Sequence, residues 1–150
     1  MKIRMVLLLI LMIGCIGLGA CTEADADSGA KPDLSVQAGN ADFVSSTNKT
    51  VNKSIELTVG QKVVVSLWSN PTTGFSWSEQ PVIQNGNLVI QLDHQFVAPT
   101  VSQVVGAAGT ELWTFQAAAT GETTLTLQYG QPWAGGEKAA YTFVLTVSAR

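Results

Sequence analysis

Ile55-Glu56-Leu57-Thr58-Val59-Gly60-Gln61-Lys62-Val63-Val64-Val65-Ser66-Leu67 is the stretch that decides the fold. Apolar side chains stand at every second position on both sides of Gly60-Gln61. Successive side chains of a strand point to opposite faces, so this period marks two strands, each with one buried face, joined by a turn. The same period recurs at Trp113, Phe115 and Ala117, at Leu125, Leu127 and Tyr129, and at Tyr141, Phe143, Leu145 and Val147. Residues 88–96 also read as a strand, and Gly121-Glu122 punctuates the chain. No stretch sustains a helical period. Short strands separated by Gly, Pro and Asn turns predict an all-β sandwich over residues 42–150. About 110 residues suffice to bury a core.

The N-terminus reads differently. Lys2 and Arg4 precede an apolar run at residues 5–13, the layout of a secretory signal. Leu18-Gly19-Ala20-Cys21 then resembles the lipobox of bacterial lipoproteins in all four positions. Small residues let the chain enter a peptidase cleft extended, and the Cys21 thiol can take the diacylglyceryl chain. Residues 5–20 are short for a membrane-spanning helix and carry three glycines near their end. The expectation is therefore a signal peptide at 1–20, a lipid on Cys21 and a flexible acidic tether at 21–41, rich in Ala, Asp, Ser and Gly. The protein is expected to be exported and anchored to the cell membrane or outer membrane through that lipid. Its domain would face the periplasm or the exterior. Thr22, in place of Asp, favours the outer membrane where the cell has one.

Removing the signal takes Lys2 and Arg4 with it. Six basic residues then face eleven acidic ones, a formal charge of −5. Such a surface argues against nucleic acid as a partner, which calls for basic patches. Of the two cysteines, Cys15 lies in the signal and Cys21 takes the lipid. The folded part thus has no disulfide, no thiol chemistry and no thiolate metal site. His94 is the one histidine; it cannot alone build a zinc site, and no nucleophile elbow accompanies it and Asp93. An enzyme is not expected, nor a metal or cofactor.

Three connections are not ordinary turns. The first is Asn70-Pro71-Thr72-Thr73-Gly74-Phe75, leading to Trp77. Pro71 fixes its own φ, pushes Asn70 towards an extended shape, and Gly74 permits positive φ. The second is Gly106-Ala107-Ala108-Gly109-Thr110, leading to Trp113; its small residues leave backbone open to close approach. The third is Gly130-Gln131-Pro132-Trp133-Ala134-Gly135-Gly136, which places a Trp in a loop, where such a ring often anchors an interface.

In this order, within one β domain, the three motifs resemble the chagasin family of cysteine protease inhibitors. The resemblance runs from about Ile55 to Val147. The first motif matches in full and the second, Gly106 to Trp113, also fits. In the third, Pro132 and Trp133 match but Gln131 stands where the family usually has Arg. The resemblance implies an immunoglobulin-like β-sandwich, for which the absent inter-sheet cysteine pair is no obstacle. It implies a monomer whose three loops enter the cleft of papain-like cysteine proteases. Asn70, Pro71, Thr72, Thr73, Gly74 and Phe75 would cover the catalytic centre. Gly106, Ala107, Ala108, Gly109 and Thr110 would reach the non-primed side. Trp133, with Gln131 and Pro132, would pack on the primed side. Loss of the Arg charge and its donor fork predicts a changed target preference rather than lost inhibition. Beside the enzyme set aside above, one rival reading stands. A lipoprotein that binds protein or glycan would use the same loops without inhibiting. An aromatic platform of Trp68, Trp77, Trp113 and Trp133 is disfavoured, because alternation buries Trp113, Trp77 sits at a core position and only Trp68 is left partly exposed.

Overall fold

The computed structural model describes residues 34–100 and 106–150. The signal segment, Cys21 and most of the predicted tether lie outside the described residues. The chain forms β1 (Leu34–Ala38), α1 (Asn40–Ser45), β2 (Thr50–Leu57), β3 (Lys62–Ser69), β4 (Ser76–Trp77), β5 (Val82–Ile83), β6 (Val89–Val97), β7 (Gly109–Ala117), β8 (Gly121–Gly130) and β9 (Tyr141–Ala149). Two sheets result. One runs β1-β3-β7-β6; the other runs β2-β9-β8-β4, with β5 also paired to β8. Antiparallel pairs dominate, but β1 runs parallel to β3 and β2 parallel to β9.

The predicted alternation is what fills the space between the sheets. Val63, Val65, Leu67, Trp113 and Phe115 come from one sheet and Leu125, Leu127, Phe143, Leu145 and Val147 from the other; all are fully buried. Each such side chain contributes about 1.5–3 kcal/mol by leaving water. The intervening residues face outward, as in Val64, Ser66, Thr114 and Thr126.

Four local features add to or differ from the expectations above. The described fold reaches back past residue 42: Leu34 to Ala38 pair in register with Val63 to Leu67, and Ala38 enters the core. Leu34, Val36 and Ala38 alternate with Ser35 and Gln37, but over five residues only and inside an Ala/Asp/Ser-rich segment. The fold also contains a helix. Asn40–Ser45 makes under two turns, with Asp42 Oδ2 accepting the Gly39 N–H at 2.7 Å. Phe43 is its one buried residue, so no 3.6-residue stripe exists to be read. Val59 does not continue the inward face of β2. That strand ends at Leu57, and Val59 is exposed in the turn whose Gly60 N–H reaches Ala117 O. Finally, Gly109 and Thr110 are strand residues at the start of β7 rather than loop residues.

The new N-terminal boundary has a measurable consequence. A fragment starting at residue 42 lacks β1 and bares the edge of β3. Its unfolding free energy is expected to fall by on the order of 3 kcal/mol relative to a fragment starting at residue 34, from three lost, partly or fully buried apolar side chains. Chemical denaturation of both fragments checks this. Coincident midpoints would return residues 34–38 to the tether.

Candidate functional site

The strand registers bring three loops to one end of the sandwich. Ser69 at the end of β3 pairs with Gly109 at the start of β7. Ser76 at the start of β4 pairs with Gly130 at the end of β8. Loop 70–75, the residues before Gly109 and the loop after Gly130 therefore leave the two sheets side by side.

Loop 70–75 is a closed turn. Thr73 N–H donates to Asn70 O at 3.1 Å and Gly74 N–H to Pro71 O at 2.9 Å, which makes a 3-10 turn of Pro71–Thr73. The Thr72 hydroxyl donates to Asn70 Oδ1 at 2.6 Å and the Thr73 hydroxyl to Asn70 O at 2.7 Å. Gly74 closes the turn at φ 81°, the left-handed conformation foreseen for it. Beneath lies Tyr129. Its Oη accepts the Asn70 N–H at 3.1 Å, and its ring is stacked on Phe75 at 5.7 Å. Trp68, Trp77 and Tyr141 surround the same ring at 5.2–5.9 Å.

The loops touch one another. Asn70 Nδ2 donates to Gly106 O at 3.0 Å, which joins the first loop to the second. A Cβ on Gly74 would stand 2.7 Å from the Trp133 ring, so the third loop lies directly on the first. Pro71, Thr72, Thr73, Gly106, Pro132 and Trp133 are exposed; Gly74, Phe75, Ala107, Ala108 and Gln131 are half-buried. Gly109 is buried. A Cβ there would lie 2.4 Å from Val97 O, so this glycine allows β6 and β7 to meet rather than presenting a surface. Thr110 is paired to Trp68 and Val97 in the sheet.

The third loop has its own fastening. Lys138 Nζ donates to the carbonyls of Gln131 and Trp133, the latter at 2.7 Å. Gln131 N–H reaches Glu137 O at 2.7 Å, and Gln131 Oε1 accepts the Glu137 N–H at 3.0 Å. Gln131 is thus a hook inside the loop, with its amide turned to backbone. Trp133 keeps half of its surface in water. Trp77 and Trp113 are buried and Trp68 is half-buried, so no platform of four tryptophans exists.

Three residues of this end escaped the sequence reading: Tyr129, Lys138 and Glu111. Tyr129 was read only as one more inward residue. Lys138 gave no signal, since its partners are carbonyls. Glu111 did: it is a carboxylate in register with Trp113, Phe115 and Ala117 on a buried face.

The sandwich gathers three loops at one end, two of them buttressed by side-chain hydrogen bonds, with an exposed Trp among them. The chain matches the chagasin family of peptidase inhibitors (I42) over residues 56–147, and it belongs to that family. Its members inhibit peptidases and are not enzymes, so this chain is not an enzyme. It is 30% identical to chagasin of Trypanosoma cruzi over 101 residues, which cover 63% of this chain and 87% of chagasin. The fold is similar to that of the cysteine protease inhibitor EhICP2 of Entamoeba histolytica (TM-score 0.60, 17% identity, 80% of this chain and 100% of that one). It is also similar to PbICP-C, solved in complex with falcipain-2 (TM-score 0.50, 19% identity, 78% of this chain and 99% of that one).

The Gly74–Trp133 contact is testable. Gly74→Ala forces a left-handed alanine, at about 1–2 kcal/mol, and drives its methyl into the Trp133 ring. The expected result is a lower denaturation midpoint together with greater acrylamide quenching of Trp fluorescence. An unchanged midpoint and unchanged quenching would contradict the packing described.

Proposed function

We propose that this protein is a reversible, competitive inhibitor of papain-like cysteine proteases, and that its three loops enter the active-site cleft. The observation that carries the reading is the continuous tip made by loop 70–75, Gly106 and Trp133. The family identity and a similar fold in a complex with falcipain-2 support it.

The tip offers no nucleophile or electrophile, so nothing in it calls for a covalent step. Cleavage needs a peptide carbonyl aligned with the attacking thiolate. Asn70 O is occupied by two donors from Thr73, and Pro71 O by the Gly74 N–H. A turn closed in this way does not stretch into the extended form of a substrate. The hydroxyls of Thr72 and Thr73 donate inward to Asn70, which leaves their oxygens as acceptors for N–H groups of the enzyme. Because the loops are tied before binding, little ordering entropy opposes association. The exposed Trp133 supplies the apolar anchor on the primed side.

Export and lipidation belong to the same proposal. The signal layout of residues 1–20 and the lipobox ending at Cys21 support a lipid anchor. Twelve residues, 22–33, separate Cys21 from Leu34, a reach of about 40 Å at full extension. Inhibition would then act close to the membrane surface.

Titrating the protein into papain with a fluorogenic substrate tests the main claim. Competitive inhibition is expected, and unchanged rates at micromolar protein would overturn it. Trp133→Ala is expected to cost about 2 kcal/mol, roughly a thirtyfold rise in the inhibition constant. Gln131→Arg restores a cation but removes the acceptor for Glu137 N–H, so inhibition constants are expected to shift unequally across several papain-like enzymes. Equal constants across that panel would refute a role in target preference. Cys21→Ser is expected to move the protein from the membrane to the soluble fraction on cell fractionation; continued sedimentation with membranes would rule out the lipid anchor.

A further inference from the structure

Glu111 is a carboxylate at a position that strand alternation reserves for an apolar side chain. It is only 4% exposed, between Gly109 and Trp113 on the inward face of β7. Removing a carboxylate from water is unfavourable unless its lone pairs are met by donors, and a leucine would fill the site without that penalty. The donors are therefore informative. Oε1 accepts the Ser69 hydroxyl at 2.6 Å and the Trp77 N–H at 3.3 Å. Oε2 lies 2.9 Å from His94 Nε2. An ionised carboxylate would only accept, with Nε2 then the donor in this contact. The imidazole is itself held flat against the buried Trp113, with ring centres 4.6 Å apart.

Ser69 and Trp77 are not arbitrary partners. Ser69 is the last residue of β3 and immediately precedes Asn70; Trp77 follows Ser76 at the far side of the same loop. One oxygen thus fastens both feet of loop 70–75. The feet belong to different sheets, and no backbone ladder joins β3 to β4. The second oxygen is steered by His94 on β6. Four strands meet at this one side chain, directly under the loop that carries Thr72 and Thr73.

We infer that Glu111 is a positioning residue for the protease-binding loop, with His94 orienting its carboxylate. The distance between the two feet of the loop is set by Glu111 Oε1 together with the Trp77 Nε1–H bond to Trp68 O at 2.8 Å, and with it the presentation of the tip. This rests on the proposed inhibitory function and names the part of the core that tunes it. A purely stabilising role makes a different forecast: any core change of equal cost would have the same effect on binding.

Full-length protein carrying Glu111→Gln, Glu111→Leu or Val147→Ala separates the two. Val147 is buried at the opposite end, where β9 pairs with Thr123 near the start of β8. Inhibition constants and dissociation rates against papain are measured at 25 °C, well below the melting temperature of each variant. Amide exchange at Thr73 and Gly74 is followed in the free protein. Glu111→Leu is expected to raise the inhibition constant at least tenfold through faster dissociation and to speed both amides. Glu111→Gln keeps an acceptor for Ser69 and Trp77 and is expected to stay within threefold of wild type. Val147→Ala is expected to lower the melting temperature while leaving the inhibition constant and the two amides unchanged. Should Glu111→Leu fail to fold, Ser69→Ala removes one foot alone and is expected to raise the constant three- to tenfold. Wild-type inhibition and exchange in Glu111→Leu, or in Ser69→Ala where the former does not fold, would overturn the inference. So would equal effects from Val147→Ala. Failure of the wild-type protein to inhibit would sink the functional reading instead, while the exchange measurement would still decide whether Glu111 fixes the loop.

Discussion

Every polar group of Asn70 is engaged, and the binding end of the molecule depends on that. Its N–H donates to Tyr129, its carbonyl accepts from Thr73, Oδ1 accepts from Thr72, and Nδ2 donates to Gly106. Only a side chain with an acceptor and a donor side by side at this length can hold its own loop and a neighbouring one together. Asp would lose the bond to Gly106; Ser would not reach it. Pro71 contributes by excluding the helical region at Asn70, whose φ of −130° and ψ of 82° aim the amide across to the second loop.

Asn70 is in turn held from below by a cushion of rings. Tyr129 touches Trp68, Phe75, Trp77 and Tyr141, and Phe43 packs on Trp77 and Tyr141 at 5.2 and 5.4 Å. Aromatic pairs at these separations add directional preference to plain burial. The short helix α1 matters for this reason: it delivers Phe43 into the cushion. A segment with tether-like composition thus supports loop 70–75. Rigidity passes from Phe43 through Trp77 and Tyr129 to Asn70 by contact at each step.

Legibility in the sequence followed periodicity. Strands β3, β7, β8 and β9 could be read because one face is buried for eight residues or more, which gives period two enough repeats. Helix α1 could not, because six residues with one inward side chain carry no helical period; β1 alternates at Leu34, Val36 and Ala38, but over only five residues inside an Ala/Asp/Ser-rich segment. In β6 the register shifts between Gln91 and Asp93, so its alternation breaks midway. The loops were legible for another reason. Pro71 and Gly74 impose backbone conformations that few residues allow, and Trp133 between Pro132 and Gly135 is costly to leave exposed without use. What holds the loops was hidden, since Tyr129, Glu111 and Lys138 act on residues 5 to 59 positions away. Glu111 alone broke a pattern visible in the chain, as a charge in an apolar register.

The tip that results carries no side-chain charge of its own. Residues 70–75, 106–110 and 131–136 contain neither acid nor base, and Lys138 beside them spends its ammonium on two carbonyls of the third loop. Charged rims steer encounter and discriminate between partners through their fields. A neutral tip has only shape, hydrogen-bond acceptors and one aromatic ring to discriminate with, and these are useful only where they stand still. On the proposed reading, selectivity in this protein therefore rests on how firmly Asn70, Tyr129 and Lys138 fix the three loops. Gln131 fits that arrangement: its amide turns inward and closes the loop.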